Sequence, residues 1–176
     1  LAGRLTGLSR VLNFSLYSRG GLGGPLARFL LAHPAHFLAL GFGAGLLPRG
    51  PGTAGTLAAF PLYFLMQGLP VPAYWLTVAI FLVAGVWICE RAGRALGVHD
   101  HGGIVWDEIA AFLLVLPFAP ATWWGYALAF ALFRLFDIWK PFPIGWFDRR
   151  VAGGLGVMFD DVLAAGYAIL GLLVLA

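Results

Sequence analysis

Charge is what this sequence lacks most. Asp, Glu, Lys and Arg make up 11% of its 176 residues and hydrophobic residues 61%, where soluble domains carry roughly a quarter charged residues. With a mean hydropathy of +0.88, water cannot be its main solvent. Cysteine is nearly absent. The single Cys89 excludes an intramolecular disulfide and any multi-cysteine metal centre, and its apolar surroundings predict a small buried packing role. A cysteine-nucleophile phosphatase is excluded too, since the position six residues on, where arginine is needed, is Ala95. The Asp-x-Asp pattern of aspartyl-phosphate enzymes is missing. The net charge of +3 does not indicate nucleic acid as a partner, because the basic residues flank apolar stretches instead of forming one stripe.

What is present reads as a single compact all-α integral membrane protein. Residues 1–35 carry Arg4, Arg10, Arg19 and Arg28 with no apolar run long enough to span, which predicts an amphipathic segment on the membrane surface. Residues 36–176 form the remaining unit. Its first stretch, Phe37 to Leu47, is short and glycine-rich, and runs into Pro48, Pro51 and Gly52-Thr53-Ala54-Gly55-Thr56; that length predicts a re-entrant or interfacial piece. About five transmembrane helices follow, over residues 57–69, 72–89, 104–118, 122–138 and 157–175. The connections at 68–72 and 117–122 are uncharged, whereas Arg91 and Arg94 follow the second span and Lys140, Arg149 and Arg150 follow the fourth. The positive-inside bias therefore places these charged loops in the cytoplasm.

The acids follow that topology. Asp107 and Glu108 open one span, Asp137 closes the next, and Asp160 and Asp161 open the last, so all five are expected at one depth on the cytoplasmic side. Carboxylates in apolar helices are costly, about 2.5–3.5 kcal/mol each at a helix centre. Clustered at one depth they need a cation between them, and a hard oxygen-rich site suits a divalent ion such as Mg²⁺. Helix N-terminal stabilisation explains Asp107 and Asp160 without function, and arginine pairing explains another, but not all five. Neighbours on a helix point about 100° apart, so one of each adjacent pair is expected to bind metal while the other orients it.

Cations sit beside the acids. Arg134 precedes Asp137 by three residues, within an apolar span where it needs a partner; Lys140 follows by three, and Arg149 and Arg150 precede the last span. Arginine forks match phosphate oxygens, and Lys supplies a compact charge; membrane orientation or headgroup binding is the plainer account of Lys140, Arg149 and Arg150. The segment 50–56 looks like a glycine loop entering a helix, where backbone N–H groups receive an anion. It is not a Walker A motif, because the lysine before Thr56 is absent. A tight turn capped by Thr53 or Thr56 is its plainer account. His99 and His101 flank Asp100 and could serve as base or ligand; His33 and His36 look interfacial.

Four motifs in order then carry a resemblance: Pro51-Gly52-Thr53-Ala54-Gly55-Thr56-Leu57; Val98-His99-Asp100-His101-Gly102-Gly103-Ile104-Val105-Trp106-Asp107-Glu108; Phe133-Arg134-Leu135-Phe136-Asp137-Ile138-Trp139-Lys140-Pro141-Phe142-Pro143-Ile144; and Gly153-Gly154-Leu155-Gly156-Val157-Met158-Phe159-Asp160-Asp161. From about His36 onward the chain closely resembles the bacterial phosphatidylglycerophosphatase A family. Ala111 and Ala165 replace residues that are commonly Gly there, small for small. The resemblance implies a Mg²⁺-dependent inner-membrane phosphatase that converts phosphatidylglycerophosphate to phosphatidylglycerol and phosphate. On this reading Asp107, Glu108, Asp137, Asp160 and Asp161 are catalytic, with Asp107, Glu108, Asp137 and Asp161 on the metal. Thr53, Thr56, His101, Arg134, Lys140 and Arg149 bind substrate. Attack by water and attack by a carboxylate both remain open.

Two rivals belong to other classes. A small ion-coupled transporter would spread its acids through the bilayer thickness, whereas here they cluster at one level. A lipid phosphoalcohol transferase also needs clustered aspartates and Mg²⁺, but its widely spaced Asp-Gly and Gly-x-x-x-Asp pattern is not found.

Overall fold

The computed structural model describes residues 25–98 and 101–175. Arg4, Arg10 and Arg19 of the expected surface segment, and His99 with Asp100, lie outside the described residues. Within them the chain is all-α: α1 (Pro25–Ala32), α2 (Pro34–Ala39), a 3-10 segment (Gly41–Leu46), α3 (Pro51–Met66), α4 (Val71–Leu96), α5 (Trp106–Val115), a 3-10 turn (Leu116–Phe118), α6 (Trp123–Trp139), α7 (Ile144–Asp148) and α8 (Gly153–Leu175).

Each of the five expected spans falls on a helix, but the helices are unequal. Among the described residues only α4 and α8, with 26 and 23 residues, are both long and apolar enough to cross a membrane on their own; at 1.5 Å per residue they reach about 39 and 35 Å, against a hydrocarbon core of about 30 Å. The stretch 104–118, expected as a span, is instead a ten-residue helix, α5, about 15 Å long. It lies at the centre of the bundle. Ile109, Ala110, Ala111, Phe112, Leu113, Val115 and Leu116 are wholly buried, as expected for a helix that is apolar all round. Helices α3, α4 and α8 pack around it, and α8 is flanked in turn by α4 and α6. Ala111 and Ala165 are both fully buried, so small side chains at these positions keep the helices close.

Local chemistry sets the ends. Gly50 caps α3 in the left-handed conformation (φ 62°) with Pro51 in the first turn. No threonine hydroxyl caps this helix, contrary to the expectation for Thr53 or Thr56. Thr122 does cap α6, accepting from the Gly125 N–H at 3.0 Å. The glycine-rich stretch before α3 is broken backbone, with positive φ at Gly41, Phe42 and Gly43. It folds against the start of α5, where the Val105 N–H donates to the Ala39 carbonyl at 2.8 Å. Cys89 is buried against Met158, sulfur to sulfur 4.0 Å.

The outer surface is apolar and bounded by aromatics. Leu65, Leu76, Ile80, Val83, Leu170 and Val174 are exposed. Trp75, Phe118, Trp123 and Trp124 lie exposed toward one end and Trp139, Phe142 and Trp146 toward the other. Along α6, Trp123 and Trp139 are about 24 Å apart. Exposed apolar area of this kind, with rings at two levels and two long apolar helices, marks a membrane-associated protein.

The central placement of α5 predicts unequal costs of truncation. Phe112→Ala is expected to lower stability by about 3 kcal/mol through the cavity it opens, whereas Leu65→Ala, 80% exposed, is expected to stay within about 0.5 kcal/mol. Unfolding of the purified protein in detergent checks both, and equal losses would contradict a buried α5.

Candidate active site

The short central helix carries its acids into the bundle. Asp107 and Glu108 occupy the first turn of α5, where the helix dipole favours negative charge, and no side chain of Val105 caps that end. Asp161 lies about two turns into α8 and is buried, as is Asp107. One carboxylate oxygen from each of Asp107, Glu108 and Asp161 falls within 4.8 Å of the others. Both members of the Asp107–Glu108 pair join the group; the resemblance put both on the metal, and helix spacing alone would have split them. Asp161 joins it too, and Asp160 turns to Lys140. Asp137, in the last turn of α6, sets its carboxyl against that of Asp161 and close to Glu108.

Arg134 holds this edge together. Its Nη1 donates to Asp137 Oδ2 at 2.5 Å, lies 3.6 Å from Glu108 Oε1, and donates to the Thr56 hydroxyl at 3.5 Å. The fully buried Thr56 passes its own hydrogen to the Gly52 carbonyl at 2.9 Å. Thr56 therefore braces the guanidinium from the first turns of α3. Gly52 makes the approach possible: a Cβ there would collide with Glu108 Oε1 and come within 3.1 Å of Arg134 Nη1. Gly55, one turn on, lets the same face sit on Val105. Thr53 is half-buried in that first turn.

The remaining candidates stand around this centre. Lys140 ends α6 in the left-handed conformation (φ 45°) and donates to Asp148 Oδ1 at 2.7 Å and to Asp160. Burial works against its charge, but the two carboxylates outweigh it and hold the ammonium above the ordinary lysine range. His101 accepts the Gly103 N–H at Nδ1 (3.0 Å) and shapes the turn into α5. Arg149 is exposed after α7, near Gly145.

Chemically, the centre is a set of hard oxygen donors with open valences. Asp107 Oδ1, Glu108 Oε2, Asp161 Oδ2 and Arg134 Nε are buried without a hydrogen-bond partner. Unpartnered buried carboxylate oxygens are costly, and they fit an oxygen-seeking cation. The Asp107, Glu108 and Asp161 group can hold a metal ion.

Sequence reasoning passed over three residues. Gly52 was read as part of an anion loop, although the spacing of Gly52 and Gly55 also signals a close helix contact. Asp148, which holds Lys140, lies eight residues away across a turn and has no periodic signal. Glu90 reads as an ordinary i, i+4 partner of Arg94, yet it also accepts the Gly154 N–H at the start of α8 at 2.7 Å.

Comparison with known proteins agrees with the sequence motifs. The family model PgpA, phosphatidylglycerophosphatase A, matches residues 37–176. The phosphatidylglycerophosphatase A of Escherichia coli K12 is 47% identical over 139 residues, covering 78% of this chain and 81% of that protein. That of Haemophilus influenzae is 46% identical over 148 residues, 83% of this chain and 91% of that protein. No solved structure matches the chain. The match runs from α2 to the end of α8 and includes every carboxylate of the buried centre, and on that basis the chain belongs to the phosphatidylglycerophosphatase A family.

Proposed function

We propose that this chain hydrolyses phosphatidylglycerophosphate to phosphatidylglycerol and inorganic phosphate, using Mg²⁺, as a multi-pass enzyme of a bacterial inner membrane with its site on the cytoplasmic side. The observation that carries this reading is the convergence of Asp107, Glu108 and Asp161, with unpartnered oxygens, beside Arg134 in a membrane-sized apolar bundle. Named relatives of nearly half identity support the substrate.

The roles follow from position. Asp107, Glu108 and Asp161 would hold the cation, with Asp137 fixing Asp161. When bound, Mg²⁺ supplies Lewis-acid polarisation of phosphate oxygens and makes water more acidic. A carboxylate of the group accepts the proton of an attacking water as its oxygen bonds to phosphorus; the phosphorus–oxygen bond to glycerol breaks, and that carboxyl returns the proton to the leaving lipid oxygen. Arg134, braced by Thr56, turns its N–H fork to the phosphate oxygens. The first turn of α3, with Gly52 and Thr53, faces the same centre with helix N-terminal N–H groups. Lys140, His101 and Arg149 line the approach for the anionic headgroup, and Asp160 anchors Lys140.

In the membrane, α3, α4, α6 and α8 would form the wall around α5, with α1 joining the apolar cluster on α4 through Leu26, Phe29 and Leu30. Arg91, Arg94, Lys140, Arg149 and Arg150 gather at the site end, which the positive-inside bias assigns to the cytoplasm. A site at this level meets a phosphomonoester whose acyl chains stay in the bilayer.

The test is phosphate release from phosphatidylglycerophosphate by the purified protein in detergent. Release that stops on chelation, returns with Mg²⁺, and falls by about 100-fold or more in Asp161→Asn is expected; release indifferent to chelator would remove the metal, and none from a folded sample would remove the reaction. Gly52→Ala is expected to lower kcat by about 100-fold, because its methyl displaces Glu108 and Arg134. Wild-type kinetics from that variant would show that the α3 contact does not set the geometry.

A further inference from the structure

A cavity with charged residues on its lining lies apart from the carboxylate centre. It has a volume of about 590 Å³, opens beside α2 and α4, and is lined by His36, Trp87, Glu90, Arg91, Arg94 and Ala95. Its charges do not cancel. The Glu90 carboxylate is already engaged, with Oε1 on Arg94 and Oε2 on the Gly154 N–H. Arg91 has no ion pair among the described residues; its guanidinium rests 5.8 Å from the centroid of the Trp87 ring, which is 58% exposed. Tryptophan at the edge of an apolar helix marks the headgroup level, and arginine there meets lipid phosphate.

His36 adds a second kind of contact. It is 8% exposed, and its ring stacks on Phe29 at 3.9 Å. Nδ1 donates to the Phe29 carbonyl at 3.1 Å, which leaves Nε2 as the atom offered to the cavity. Burial first, and then the nearby charges of His33 and Arg91, hold this histidine below its ordinary pKa against the opposing hydrogen bond to Phe29. A neutral imidazole with its proton on Nδ1 is an acceptor at Nε2. The cavity therefore offers a cation for a phosphate and an acceptor for a hydroxyl.

We propose that this cavity is a non-catalytic site for an anionic phospholipid with a hydroxylated headgroup, Arg91 meeting the phosphate and His36 a headgroup hydroxyl. The product of the proposed reaction belongs to this class, so the enzyme would hold product lipid on the face of α4 away from the carboxylates. The proposal rests on the reading that this end of α4 lies at the membrane surface.

Native mass spectrometry of the delipidated full-length protein in detergent tests it by counting bound phosphatidylglycerol against phosphatidylcholine and phosphatidic acid. Arg91→Gln is expected to weaken phosphatidylglycerol binding about fivefold, the worth of one interfacial arginine, with phosphate release unchanged, while Arg91→Lys retains binding. His36→Phe is expected to abolish the preference over phosphatidic acid. Three outcomes would overturn the site: equal binding by Arg91→Gln, displacement of the lipid by millimolar inorganic phosphate, or loss of binding in Asp161→Asn but not in Arg91→Gln. Arg91-dependent binding in a protein that releases no phosphate would sink the phosphatase reading and leave this one standing.

Discussion

The constraint on which the structure turns is negative charge held inside an apolar bundle. Four carboxyl groups, Asp107, Glu108, Asp137 and Asp161, meet a single guanidinium, Arg134, at the buried centre. Moving charged groups out of water costs several kcal/mol each even after relaxation. One arginine cannot offset four acids, and the unpartnered oxygens of Asp107, Glu108 and Asp161 show where the compensation is missing. A structural role alone would have been served better by apolar residues of similar size. The arrangement is intelligible as a receptor whose cation completes it.

The fold can be understood as the means of bringing those acids together. A full-length span would place the start of α5 at the bundle's edge, in contact with headgroups. At ten residues, preceded by the broken turn at Gly41–Gly43 packed on Val105, α5 begins inside the bundle instead. Its first-turn acids then face Asp161, two turns into α8, and Arg134 on α6. Glycines remove the remaining obstacles. At Gly52 the absence of a side chain admits Glu108 and Arg134, and at Gly154 a Cβ would meet the backbone of α4. Both are cases where backbone proximity, more than conformational freedom, explains the glycine.

Much of this was legible in the sequence, for physical reasons. Scarce charge and long apolar stretches indicate an all-α, membrane-associated protein, and the acids at the ends of those stretches include those that meet at the buried centre. Helix periodicity also separates Asp161 from Asp160, since neighbours cannot face one point. It failed for Asp107 and Glu108, because at a helix start the long Glu108 side chain can reach back to the group that Asp107 enters directly. The half-length α5 was not legible: apolar length alone does not distinguish a lipid-facing span from a helix buried on every side, and only packing resolves it. Nor were the ties of Asp148 and Glu90 legible, since both join elements that are distant along the chain.

Those ties explain how α8 keeps its register. Its first turn is held by Glu90 of α4 through the Gly154 N–H, and Asp160 is held through Lys140 to Asp148 at the end of α7. Asp160 and Asp161 are adjacent, so a slide of α8 along its axis would have to break both contacts before Asp161 left the carboxylate group. Two anchors on opposite neighbours fix the rotation as well as the height of a helix, which a single contact cannot do. Asp160 accordingly faces Lys140 while Asp161 faces Asp107 and Glu108, so the two adjacent acids point to different partners.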